Sequence, residues 1–281
     1  MCISSAGSPD TTPVVINSGD FVTDATRNIV VIGDNNTGHW LDSKYRIVGS
    51  FINGGINIST SNIYLKFIYI QNLETVSGVS AGIEISKTGI TNVNIESCYL
   101  KGSTSGITWY GIIDRGSTDT IVKNTILINW GRAFLSNQSA VNAYVYNSVA
   151  YNCLQGFRLG FGSLTVKNCI GQNNTDNYVG ALSGDYNMSD VPDAQMPGVN
   201  STTAAAIFAD AANGDFRLLA GSPGIDQGVD LSADPSYPFN TDIIGTTRPQ
   251  GSAWDIGAFE LIQQSFNPAW AKHSNQIIRA L

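Results

Sequence analysis

The sequence predicts an all-β fold in which parallel strands stack into a solenoid, a parallel β-helix. Three observations carry the prediction. A strand-like alternation of apolar and polar residues recurs along the chain, no helical periodicity separates the copies, and the composition suits short strands joined by turns. Of 281 residues, 42% are hydrophobic and only 13% charged, with 29 glycines and 26 asparagines. That leaves little material for charged surface helices.

The first turns and their cap are expected over residues 13–60. There the segments Asn28 to Gly33, Tyr45 to Gly49 and Gly54 to Ile58 carry Val, Ile, Gly and Asn at irregular spacing. A solenoid covers its end or presents an adhesive edge. The central turns follow as five segments with one pattern: Asn62 to Asn72, Asn92 to Gly102, Thr120 to Asn129, Asn142 to Asn152 and Leu164 to Asn173. Their equivalent residues Leu65, Ile95, Val122, Val145 and Val166 recur at steps of 30, 27, 23 and 21 residues, mostly too short for a βαβ crossover. A second register starts at Gly82, Gly106, Gly131 and Gly156, giving two strands per turn. Stacking each turn on the one before buries the apolar faces. An antiparallel sandwich also has short strands with regular turns, and is the competing fold.

The repeat assigns residues to columns. Ile68, Cys98, Thr125, Ser148 and Cys169 form one column of mostly small groups. Cys98 and Cys169 stand three turns apart, about 14 Å at ~4.8 Å per turn, beyond disulfide reach. The four cysteines, with Cys2 and Cys153, therefore read as thiols rather than a disulfide framework. The preceding column holds Phe67, Ser97, Asn124, Asn147 and Asn168. It has two readings: an amide ladder along the stack, or a turn position that Asn tolerates.

The texture changes after residue 187. A Pro- and Asp-rich stretch opens near Val191, and Thr203 to Ala212 is expected to form one short helix. Then come Gly214-Asp215-Phe216-Arg217-Leu218, Ser222-Pro223-Gly224-Ile225-Asp226-Gln227-Gly228, Asp242-Ile243-Ile244-Gly245 with Arg248-Pro249, and Asp255-Ile256-Gly257-Ala258-Phe259-Glu260. This ordered set, over roughly residues 213–260, resembles the choice-of-anchor Q module that follows many right-handed parallel β-helix proteins of bacteria and phages. The resemblance implies a module that closes the C-terminal end of the helix in a surface-displayed protein. The chain then divides into a β-helix with its N-terminal cap (1–187), the capping module (188–260) and a tail (261–281). Asp226, Asp242, Asp255 and Glu260 are hard oxygen donors of the kind Ca²⁺ collects. They equally suit turn capping, with Arg248 paired to one of them, and no metal site or cofactor is assigned.

A formal charge of −7 gives no basic footprint for nucleic acid or an anionic membrane. No stretch reaches the ~18 to 20 apolar residues of a membrane span. Met1 to Asp10 lacks basic and apolar signal regions, so synthesis in a host cytoplasm is expected. With the module's resemblance, these features give the leading functional expectation. It is a non-enzymatic structural protein on the exterior of a phage particle, a head decoration or cement, with no catalytic residues. Its expected partners are its own copies, as a homotrimer, and a major capsid or tail protein. Trp270, Ile277, Ile278 and Leu281 in the tail are the candidate docking residues. The alternatives are a tailspike-like glycan-binding or depolymerase protein and a bacterial surface adhesin. For the glycan alternative, Glu84 and Asp114 are the best carboxylate pair, with Arg132 and Arg158 as ligands for sugar or carboxylate. Arg132 occupies the column of Ile83 and Phe157, an inward position expected to be relieved by a local bulge. Trp109, Tyr110, Trp130, Phe134, Phe157 and Phe161 read as core or, alternatively, as a sugar platform.

Overall fold

A computed structural model of the protein describes residues 14–16, 29–32, 46–49, 55–72, 80–103 and 108–263. The chain is a right-handed parallel β-helix with three strand faces. Face one holds β1 (Val14–Ile16), β4 (Ile56–Ile58), β7 (Ser80–Ile85) and β10 (Trp109–Asp114). Face two holds β2 (Ile29–Ile32), β5 (Ile63–Lys66), β8 (Val93–Glu96) and β11 (Thr120–Lys123). Face three holds β3 (Arg46–Gly49), β6 (Tyr69–Asn72), β9 (Tyr99–Lys101), β12 (Ile126–Ile128), β14 (Val149–Tyr151) and β16 (Ile170–Gln172). Two long strands, β13 (Arg132–Tyr146) and β15 (Gln155–Lys167), run from face one into face two and join them in one sheet. The last rung is β17 (Asp176–Val179), β18 (Ser183–Asp185) and β19 (Met188–Ser189), and β20 (Thr202–Thr203) pairs in parallel with β19 past residue 187.

The face-two register is the one that the apolar spacing predicts. Leu65 pairs with Ile95, Ile95 with Val122, Val122 with Val145 and Val145 with Val166, and all five are fully buried. On face one the inward column is Ile83, Ile112, Phe134, Phe157 and Tyr178. Here the expected register is corrected. Gly82 lies beside Gly111, and Ala133, not Gly131, lies beside Gly156. Gly106 falls outside the described residues. The buried indole of Trp130 sets this alignment by lying against the backbones of Gly82 and Gly111.

Between faces two and three the chain turns through left-handed backbone in each rung whose turn is described, at Phe67, Ser97, Asn124, Asn147, Asn168 and Tyr186, with φ between 44° and 56°. Asn tolerates this region better than most L-residues. The turn reading of the asparagine column holds throughout, and the amide ladder is formed at one step, where Asn168 Nδ2 donates to Asn147 Oδ1 at 3.2 Å. A second left-handed column, Asn129, Asn152 and Asn173, carries a further ladder, with Asn152 Nδ2 donating to Asn129 Oδ1 at 2.8 Å. The small-residue column lies inside. Cys98, Cys153 and Cys169 are buried and free, and burial pushes the Cys98 and Cys153 thiols up to about 12. They are inert fillers.

The C-terminal end is closed by side chains. Asp193 Oδ2 accepts from Tyr178 N, Gln195 Oε1 from Gly180 N, and Asp190 Oδ2 from Asn173 N, at 2.8 to 2.9 Å. These capped donors and the pairing of β20 onto β19 cover the exposed edge of the last rung.

Residues 204–260 pack along the flank of the solenoid. The expected helix over 203–212 gives way to the hairpin β21 (Phe208–Asp210) and β22 (Asp215–Leu218), joined by one 3-10 turn. Asp210 accepts the amide of Asn213, and Gly214 closes the turn in left-handed backbone, so the alanine run has no length in which to propagate a helix. Phe216, Leu218, Ile243, Ile256 and Phe259 bury the outer side of face three at Tyr69, Tyr99, Ile126, Val149 and Ile170. Leu231 and Trp254 do the same on face two at Ile121 and Tyr146. The asparagine turns serve as rails: Asn124 Nδ2 donates to Thr241 O, Asn147 Nδ2 to Asp255 O and Gly257 O, and Asn168 Nδ2 to Val229 O. Among the described residues, the module thus takes faces two and three and leaves the outer side of face one.

Candidate functional site

Regular alternation is broken on face one. Ile83, Ile112, Phe134 and Phe157 are inward, and the residues just before them also face the core, Gly82 and Gly111 against Leu100, Leu127 and Trp130, and Ala133 buried among the same residues. Two outward columns flank this inward pair. One is Ala81, Tyr110, Arg132, Gln155 and Asp176; the other is Glu84, Ile113, Leu135, Arg158 and Val179. Arg132 lies on the outside, opposite Tyr110 and Gln155. Its column is not that of Ile83 and Phe157, which belongs to Phe134, and the local irregularity expected at this position is present: Ala133 and Phe134 both face the core, which turns Arg132 outward.

The outward polar groups form one connected row. Arg115 Nε donates to Glu84 Oε1 at 2.9 Å, and its guanidinium lies over the Tyr110 ring, 5.9 Å from the centroid. The Arg132 guanidinium lies over the same ring at 5.6 Å, and its Nη1 donates to the Tyr110 hydroxyl at 3.1 Å. Arg132 Nε and Arg158 Nη1 both donate to Gln155 Oε1 at 2.9 Å. One tyrosine ring and one amide oxygen thus hold three guanidinium groups on three successive rungs. Cation-π contacts of this kind contribute on the order of 0.5–2 kcal/mol each. The three arginines remain partly exposed, and the planar guanidinium fork is suited to carboxylates.

Of the four residues proposed from the sequence, Glu84, Arg132 and Arg158 come together in this row. Asp114 does not. It pairs with Ile85 and Ser136, one step out of phase with Glu84, and is fully buried. Its Oδ1 accepts from Gly116 N and Ser117 N and its Oδ2 from Ser117 Oγ, so it caps the turn after β10. The carboxylates at the two ends of the row, Glu84 and Asp176, are four rungs apart, about 19 Å at ~4.8 Å per rung. Paired-carboxylate glycoside hydrolysis requires about 5–9.5 Å, shorter than the span between Glu84 and Asp176. Arg115 and Gln155 escaped the sequence reading. Their signal is the alignment of Gly82, Gly111 and Gly156, legible only with the correct loop lengths.

The aromatic candidates divide between the same two sides. Trp130, Phe134 and Phe157 are interior, Trp109 and Tyr110 are nearly covered, and Phe161 is 63% exposed. The docking residues Trp270, Ile277, Ile278 and Leu281 lie outside the described residues.

The carboxylates of the C-terminal module are occupied by the chain itself. Arg248 Nη1 pairs with Glu260 Oε2 at 2.9 Å, both side chains fully buried. Asp242 accepts from Ile244 N, Thr246 N and Glu260 N. Asp255 accepts from Asp226 N and Leu261 N, and Asp226 from Ala253 N and Gln263 Nε2. Among the described residues, no group of His, Cys, Asp and Glu is arranged to hold a metal ion. Turn capping is the role that the coordinates give these acids.

No family model matches the chain, and no curated protein matches it. Among solved structures, it is similar to a crystal structure of the pectate lyase Pel9A, with 14% identity and a TM-score of 0.47 over 90% of this chain and 84% of that one. That solved chain is named as an enzyme, and the expectation of a protein without catalytic activity is withdrawn. The likeness itself speaks to the fold alone.

Proposed function

We propose that this chain binds an acidic polysaccharide along the outer side of face one, as a tailspike-like component displayed on the exterior of a phage particle. The observation that carries the reading is the row itself: three arginines gathered on one outer face of a chain with a net charge of −7, held by Tyr110 and Gln155. A locally cationic strip on an acidic protein selects for polymer-borne carboxylates. Its rung spacing repeats regularly, as does a polysaccharide.

Arg132 is the centre of the row, so Arg132→Gln is expected to weaken binding to carboxylated polymers such as alginate or polygalacturonate at least tenfold, about 1.4 kcal/mol. Neutral dextran is expected not to bind, and salt is expected to weaken binding of the parent. Titration calorimetry with the full chain checks all three. Equal binding of dextran, or full affinity in the variant, would overturn the reading. New chain ends, scored in the same incubations, report cleavage of bound polymer. The proposed setting is tested by quantitative mass spectrometry of purified particles, where a handful of copies per particle is expected and their absence overturns it.

A further inference from the structure

The pairing of β13 with β15 changes step next to the arginine row. It runs in register from Arg132 opposite Gln155 to Ser136 opposite Leu159, and the next pair is Asn137 opposite Phe161. Gly160 is thus an extra residue in β15, a β-bulge. Residues three apart on a regular strand point to opposite sides. The extra residue reverses that parity and brings Phe161 to the same outer side as Arg158. Its ring is 63% exposed.

The backbone that presents this ring is fixed on both sides. A Cβ at Gly160 would lie 2.9 Å from Ser136 O, and one at Gly162, where φ is +82°, only 2.4 Å from Val141 O. Ser136 Oγ donates to the Phe161 carbonyl at 2.7 Å, and beyond it Ser163 Oγ donates to Asn142 Oδ1 at 2.8 Å. Along the strand Phe161 stands about 10 Å from Arg158, at ~3.3 Å per residue. An apolar ring face and a guanidinium at that separation match one sugar stacked by its C–H face and a carboxylate farther along the same chain.

We infer that Phe161 is the stacking residue of this site, taking the apolar ring face of a monosaccharide in the polymer whose carboxylates meet Arg158 and Arg132. The inference rests on the acidic-polysaccharide reading and adds a specificity-determining residue to it. In calorimetry with alginate and polygalacturonate oligosaccharides, Phe161→Ala is expected to raise Kd about tenfold with an unchanged melting temperature, because the ring is not packed. Phe161→Trp restores affinity. Parental affinity in Phe161→Ala, alongside lost affinity in Arg132→Gln, overturns the role of Phe161 and leaves the arginine row standing. A parent that binds neither oligosaccharide overturns both. Unchanged binding with a loss of self-association in Phe161→Ala, seen by sedimentation velocity, makes Phe161 a contact between copies and also overturns the inference.

Discussion

Replacing Arg248 with methionine is expected to cost about 3–5 kcal/mol of folding stability, the scale of breaking a buried ion pair by removing one partner. The guanidinium meets Glu260 at 2.9 Å with both side chains fully buried. It also donates to the carbonyls of Asp255, Gly257 and Ala258 at 2.9 to 3.0 Å. Methionine leaves those three acceptors and a buried carboxylate without their donor. The loss extends to the solenoid, because Asp255 and Gly257 are the residues whose carbonyls receive Asn147, and Gly257 N donates to Asn168 O at 2.8 Å. Pairing Arg248→Met with Glu260→Leu is expected to recover only part of the loss. Glu260 also accepts from Gln250 N and Asp255 N, and leucine orphans both donors. Urea unfolding of the two single variants and the double variant, followed by tryptophan fluorescence, checks this. A single-variant loss below about 1 kcal/mol would show that the pair does not hold the module.

Stability is expected to rise as pH falls from 7 towards 5 and to drop again below about 4, with a different residue on each limb. Burial pushes Asp255 up to about 6, against the amide donors Leu261 and Asp226, with Glu260 adding to the rise and Arg248 opposing it. An acid raised above its unfolded value of about 3.9 contributes stability that is fully present below that value and lost as pH rises through 6. Burial also raises Asp242, which adds to the same limb. Glu96 behaves oppositely. Burial opposes its ionisation, but Lys123, Lys66 and the Tyr64 hydroxyl outweigh it and hold the carboxyl below its usual range. Its contribution is present above the unfolded value of about 4.3 and is lost as pH falls through the folded one. Urea midpoints from pH 3.5 to 7.5 read both limbs. Asp255→Asn is expected to flatten the limb between 4 and 6, and Glu96→Gln the acid limb. A profile in which neither variant changes its own limb would refute the assignment.

The sequence by itself determined the solenoid. Period-2 apolar spacing with short returns has few ways to bury its faces, and the anchors Leu65, Ile95, Val122, Val145 and Val166 stack as their spacing requires. The small column and its buried thiols follow from the same repeat. Face one was legible only in part, because glycine pattern alone does not reveal how many residues each loop spends before its strand. Nor does it reveal that Ala133 and Phe134 both face the core, the break in alternation that puts Arg132 on the surface. Asp114 shows the limit on the other side: a carboxylate one register step from Glu84 on the next rung is buried and caps its own turn. Tertiary structure alone decided the arginine row, the outward turn of Phe161 and the module's position on faces two and three. The physical reason is shared. Each depends on register between rungs, on a single extra residue such as Gly160, or on contacts between residues about a hundred positions apart such as Asn147 and Asp255, and local periodicity contains none of these.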